Sequence, residues 1–409
     1  MFSRSFPAAA ALAALLPPLV GAAPLGLEQA LELAAQRSQT VRSARASASG
    51  AAESARAAGQ LPDPMLNVGI ENLPVTGPDR FRTTADSMTM KRVGISQEWI
   101  PSEKRASRQA AAQAQVGRES ILEQVALADT RLQTALAYVD AYYAGESLKL
   151  TTATEHHVHE ELEAAKARLA SSAGSTQEVL AMSAARGVAE DESADVQQMQ
   201  ATALVTLQRW VGVQPDSLAA PVLPTLHSEK TYVAAHPAVL QAYRDIDVAR
   251  AEASATAVNR RPNWTWLASY GQRTGFSDMV SIEVNIPLTV APGERQDRET
   301  AAKLALVDKA EAALDEATRM ASAEFLSFAS DVQRLAQRVE RYRANVIAPA
   351  SQRTQAALAG YRSNQVTLMT LFEARHAEVE AQRKLLTQQR DLAKVQAQLA
   401  FKPVPGGAP

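Results

Sequence analysis

Met279-Val280-Ser281-Ile282-Glu283-Val284-Asn285-Ile286 alternates, from Val280 onward, between apolar and polar side chains. A β-strand sends successive side chains to opposite faces, so Val280, Ile282, Val284 and Ile286 make one oily face and Ser281, Glu283 and Asn285 one wet face. Three other segments carry the same pattern. Trp264, Trp266, Ala268 and Tyr270 stand opposite Asn263, Thr265 and Ser269. Leu66, Val68 and Ile70 stand opposite Met65, Asn67 and Gly69, and Val93, Ile95 and Trp99 opposite Gly94, Ser96 and Glu98. Tryptophan and tyrosine at such positions suit the aromatic belts of a membrane. No later stretch is apolar enough to cross a bilayer as a helix, so a membrane location requires strands. Four strands cannot close on themselves, and an open edge in hydrocarbon leaves amides without partners. Closure therefore needs several chains: membrane barrels have at least about eight strands, so two copies are the minimum, while three would give about twelve strands and a lumen wide enough for water and solute. The competing reading is a soluble pair of hairpins covering a helical core.

Outward from these strands the chain says nearly the same thing twice. Leu61 to about Leu180 is echoed by Arg261 to about Phe372. Ala55 to Pro62 matches Ala255 to Pro262, each a helix running into proline and then a strand. Ser102-Glu103-Lys104 parallels Gly293-Glu294-Arg295, and Glu178-Val179-Leu180 lies where Thr370-Leu371-Phe372 lies in the second half. Repetition on this scale means a duplicated structural unit of helix, two strands and a long helical hairpin. The boundaries expected are residues 23–222 and 223–402 for the repeats, with Pro221 and Pro224 marking the linker, and 403–409 as a loose tail.

The helices are expected to be very long. From Glu103 to about Leu169 there is no proline, and at 1.5 Å per residue such a helix reaches roughly 100 Å. Phe325, Phe328, Val332, Leu335, Val339, Tyr342 and Val346 recur at steps of three and four, the seam of a coiled coil; Leu385, Leu392, Val395 and Leu399 suggest a second. Turns are expected near Ser171 to Thr176 and near Ser363 to Val366, with Pro349 marking a bend or boundary.

Composition agrees with a long-helix protein: aromatics are 5% of 409 residues, and charges of both signs nearly cancel at a formal −2. That balance gives no argument for nucleic acid. Arg4, the apolar run Phe6 to Val20 and the small residues Val20-Gly21-Ala22 read as a signal peptide over residues 1–22. The absence of cysteine fits an oxidising periplasm and removes any lipid-modified cysteine. No glycine-rich phosphate loop, nucleophile elbow or metal triad is present, so neither an enzyme nor a cofactor is expected. A periplasmic coiled-coil adaptor would show one hairpin flanked by glycine-rich β modules, not two hairpins with paired amphipathic strands.

These residues resemble the TolC-like outer-membrane efflux family over essentially the whole mature chain. The family motif near the second helical turn is a tyrosine, a small turn residue three later, then Asp-Val-Leu-Asp-Ala; this chain reads Tyr361, Asn364 and Thr370-Leu371-Phe372-Glu373-Ala374. The resemblance implies a mainly α fold with a small membrane β part, a homotrimer whose twelve-stranded barrel continues as an α-helical barrel, and a place in the outer membrane of a Gram-negative bacterium. It also implies two partners, a periplasmic adaptor and an inner-membrane pump of the RND type. By the same resemblance Glu373, Thr370, Tyr361 and Glu178 are channel-gate residues, with Thr370 replacing one of the family's acids and Val366 standing where a gating arginine can occur. Leu61-Pro62-Asp63-Pro64-Met65-Leu66, and Gly94-Ile95-Ser96-Gln97 leading to Pro101, Lys104 and Arg105, are similar to segments of the heavy-metal, CzcC-like and CusC-like branch. Its expected cargo is then a heavy-metal cation, with organic toxicants as the alternative.

Two groups have donors that suit a metal. On a helix His156 neighbours His159 and Glu160, and His157 neighbours Glu161, a geometry for a two- or three-ligand surface site. The competing reading is a solvated polar face. Met88 and Met90 are expected to share a strand face that suits a soft monovalent ion; the alternative is plain packing.

Overall fold

The computed structural model describes residues 24–224 and 228–406. The expected signal peptide lies outside them. The first half runs α1 (Leu27–Arg37), α2 (Gln39–Ala58), β1 (Met65–Glu71), β2 (Met90–Trp99), α3 (Ser102–Ala170) and α4 (Thr176–Val211). The second runs α5 (Glu229–Ala234), α6 (Pro237–Ala257), β3 (Trp264–Gln272), β4 (Met279–Asn285), α7 (Gln296–Tyr342), α8 (Ala348–Arg362) and α9 (Leu368–Phe401). The echo in the sequence is therefore an echo in structure: α2, β1, β2 and the α3/α4 hairpin answer α6, β3, β4 and the α7–α8/α9 hairpin.

The four strands form one antiparallel sheet in the order β1-β2-β3-β4, with β2 and β3 joining the two halves. Register aligns the faces across all four strands. Leu66, Ile95, Ala268 and Ile282 stand in one row and Val68, Val93, Tyr270 and Val280 in the next, while Asn67, Gly94, Ser269 and Ser281 make a row on the opposite face. Within one protomer the apolar rows are bare: Val68 is 75% exposed and Ile282 79%. On the polar face Arg92 is ion-paired with Glu71 and donates to Ser269 Oγ at 2.7 Å. Gly94 is required where β2 meets β3, because a Cβ there would lie 2.6 Å from that of Ser269.

Below the sheet, α3 is a single helix of 69 residues, about 100 Å long. It is the spine of the protomer, lying against α2 and α6 near the sheet and against α4 and α9 towards the far turn. The answering helix from Gln296 to Arg362 is interrupted once, by a π turn over Arg343–Ile347 in which Ala348 N–H reaches Arg343 O. Pro349 stands two residues beyond its end, in the first turn of α8. Lacking an N–H, it cannot close the regular bond to the carbonyl four residues back, and the extra residue accommodates the break.

The coiled-coil seam of α7 faces inward, with Val339 buried and Phe325, Phe328, Val332, Leu335 and Tyr342 half-buried; Val346, in the π turn, faces out. The expected seam of α9 needs correction. Leu399 is buried, but Leu385, Leu392 and Val395 are only half-buried, and the buried line is Ala374, Ala381, Gln388, Ala393 and Ala397. Alanine lets α9 lie close on α3, so the longer side chains flank the contact instead of filling it. Salt bridges then tie the two helices together: Lys394 to Asp140 at 2.8 Å and Arg375 to Glu161 at 2.6 Å.

The main apolar core lies midway, where Leu27, Ala30 and Leu31 of α1 pack on Ala135 and Tyr138 of α3, Leu207 and Val211 of α4, and Ala397 and Phe401 of α9. Tyr138, completely buried, has its hydroxyl 2.7 Å from both Leu25 O and Ala219 O, clamping two strands of loop that also bridge Leu25 to Leu218. Pro403 and Val404 are not loose as the sequence suggested. Val404 N–H donates to Ala235 O at 2.9 Å, and its side chain is buried with Ile121, Ala128 and Leu240. Pro405 and Gly406 are exposed, and residues 407–409 lie outside the described residues.

Candidate channel gate and cation-binding residues

The two helical turns farthest from the sheet are built alike. In the first, Ser171, Ser172 and Ala173 donate to Ala167, Leu169 and Arg168 carbonyls, and Ser172 takes a left-handed φ of 60°. In the second, Ser363, Asn364 and Gln365 donate to Ala359, Tyr361 and Gly360 carbonyls, and Asn364 takes φ 61°. Asparagine tolerates that region better than most residues, which accounts for a small polar residue at this point of each turn. The following helices are capped identically: Ser175 Oγ accepts from Glu178 N–H at 3.2 Å, and Thr367 Oγ1 from Thr370 N–H at 3.2 Å.

Glu178 and Thr370 therefore occupy equivalent positions. Glu178 is an acid in the first turn of its helix, favourable towards the N-terminal dipole, whereas Thr370 shares its hydroxyl with Thr367 at 3.0 Å. Glu373 follows three residues later, one turn along the same face of α9, and is exposed. Tyr361 is half-buried against the cluster of Leu162, Ala165, Met182, Leu368 and Leu371, with the Arg168 guanidinium 5.8 Å from its ring centre. The four candidate residues, Tyr361, Thr370, Glu373 and Glu178, thus lie at the helical turns, the last three on the N-terminal turns of α4 and α9.

The histidines lie higher on α3. His156 Nε2 and His157 Nδ1 each stand 3.4 Å from a carboxylate oxygen of Glu160, and all three side chains are exposed. His159 points elsewhere, and among the described residues no three His, Asp or Glu side chains converge as a metal site. His156–Glu160 and His157–Glu160 are thus the contacts formed, and His159 joins neither. Met88 and Met90 do not share a strand face either. Only Met90 belongs to β2; Met88 sits in the preceding turn, its N–H donating to Asp86 Oδ1 at 2.7 Å, because the bend at Asp86 to Thr89 breaks the alternation.

Glu161 carries no motif, yet it is the buried acid of this region. It is 5% exposed, and burial raises its carboxyl above the usual range against the opposing pull of Arg375. Its signal in the sequence is positional: Val158, Leu162 and Ala165 form the apolar stripe of α3, and Glu161 falls inside it.

No family model matches the chain, and no curated protein matches it in sequence. Its fold is that of the TolC-family outer-membrane channels. The outer membrane protein VceC from Vibrio cholerae superposes with a TM-score of 0.74 at 18% identity, over 92% of this chain and 96% of that one. CusC superposes with 0.74 at 14% identity, over 92% and 91%. A membrane protein from Pseudomonas aeruginosa gives 0.76 at 16% identity, over 92% and 90%.

Proposed function

We propose that the protein is an outer-membrane exit duct, passive in itself, of a tripartite efflux system. Three copies pair β1 of one with β4 of the next into a twelve-stranded barrel, and their helices continue it through the periplasm of a Gram-negative cell. A periplasmic adaptor and an inner-membrane RND pump deliver the cargo and supply the energy. The observation that carries this reading is the sheet: its apolar rows are bare and its two edges unpaired in one protomer, which only lipid on one side and further strands at each edge can satisfy. The VceC-like and CusC-like folds support the same reading.

The cargo we infer is a heavy-metal cation, from the Leu61–Leu66 and Gly94–Arg105 segments. Glu373, brought together with its copies by threefold symmetry at a tunnel constriction, makes a ring of negative charge that attracts cations and biases passage or helps hold the closed state. The His156, His157 and Glu160 face is a transient collecting site on the way in. Deleting the gene and titrating zinc, cobalt, cadmium, copper, silver and a panel of organic toxicants tests both levels. Selective metal sensitivity is expected. Sensitivity to organic compounds alone would overturn the metal cargo and keep the duct; no sensitivity of any kind would count against efflux.

A further inference from the structure

Between α3, α8 and α9 lies an open cavity of about 280 Å³, bordered by His157 of the collecting face and by the Arg375–Glu161 pair that ties α9 to α3. One wall is aromatic, with Phe372 and His376 stacked at 5.9 Å and 16° between planes, and Val158 continues it as an apolar surface. The other wall is charged: Glu161, Glu378 and Arg375. Arg375 donates to Glu161 Oε1 at 2.6 Å, while Oε2 has no hydrogen-bond partner although the residue is more than nine-tenths buried. A buried carboxylate oxygen without a donor costs free energy, so the site lacks one N–H or O–H group. Two carboxylates against one guanidinium leave the lining short of one positive charge. Aromatic rings attract cations through their π faces. The aromatic and apolar surface beside the carboxylates suits an organic cation, whose ring such a wall can cover.

The geometry points to a binding site in each protomer for a small protonated aromatic amine, its ring against Phe372 and His376 and its ammonium N–H on Glu161. The terminal torsion of a glutamate is soft, so a modest rotation of the carboxylate turns Oε2 towards the ligand without loss of the Arg375 contact. The site goes beyond the efflux reading and does not depend on the tunnel's cargo, since every residue named comes from one protomer.

Calorimetric titration of the purified full-length protein in detergent tests it, with phenethylammonium chloride as probe and 2-phenylethanol as the uncharged mimic. Saturable binding of the amine at one per protomer is expected, with the alcohol at least about tenfold weaker. Glu161→Gln, which keeps the shape and removes the charge, is expected to erase that preference; Phe372→Leu is expected to weaken both ligands. Equal affinity for amine and alcohol, or no saturable binding, overturns the site in the wild-type protein whether or not the variants fold. An amine affinity unchanged in Glu161→Gln overturns the role given to that carboxylate. None of these outcomes bears on export, which the resistance profile reads separately.

Discussion

Lys104 and Asn263, one from each repeat, meet at 2.8 Å, the ammonium donating to the amide oxygen, and Asn263 Nδ2 donates in turn to Glu98 Oε1 at 2.7 Å. The relay sits where the sheet passes into the long helices, and Lys104 is 6% exposed. Burial, and Arg108 after it, pull the Lys104 ammonium below its ordinary pKa, with Glu98 opposing. Asn263→Leu strands that buried charge and is expected to cost about 3 kcal/mol, whereas Lys104→Met removes charge and relay together and costs about 1 kcal/mol. Thermal unfolding followed by circular dichroism ranks the two; a larger loss in Lys104→Met contradicts the relay.

Tyr138 supplies a pH signature. Burial drives its phenol from 10.0 up to about 12, partly offset by the bond to Ala219. The unfolded chain ionises first, so the contribution is complete below the ordinary value and drains away as the pH rises through the folded one. Tyr138→Phe is expected to unfold about 1–2 kcal/mol more easily near neutrality and to lose less stability in the alkaline window. Parallel alkaline stability curves for variant and wild type would remove the clamp from the account.

The amphipathic strands, both turns and the great length of α3 were legible from periodicity, because each is a property of local spacing. The relay of Lys104, Asn263 and Glu98 was not, since it joins residues from three separate elements. Nor was the true α9 seam. A search for large apolar residues finds Leu385, Leu392 and Val395, while close packing on α3 selects Ala381 and Ala397 and buries Gln388 with neither amide atom partnered. Of the candidate gate, the correspondence of Glu178 and Thr370 lies in the spacing of the two repeats, whereas their identical capping depends on the side-chain geometry of Ser175 and Thr367. Met88 was misplaced because alternation continues in sequence beyond the point where the strand ends.

If the proposed gate is formed by these turns, Glu373→Ala is expected to lower cation selectivity, and Thr370→Asp, which puts an acid at the position equivalent to Glu178, to raise it. Reversal potentials of the reconstituted channel across a salt gradient measure both. Values unchanged in the two variants would remove these residues from the gate.

Alanine at His156, His157 and His159 together is expected to reduce metal resistance without lowering the amount of protein in the outer membrane. Full resistance at equal abundance on an immunoblot would reduce the cluster to a solvated helix face.

The ladder between β2 and β3 is the longest in the sheet, and it is the one that joins the repeats. A unit with one hairpin would need six copies to close the proposed barrel, where this chain needs three. Covalent joining also lets the two halves differ: α3 runs unbroken while its counterpart carries Pro349 and a π turn, and Glu178 stands at one tip where Thr370 stands at the other.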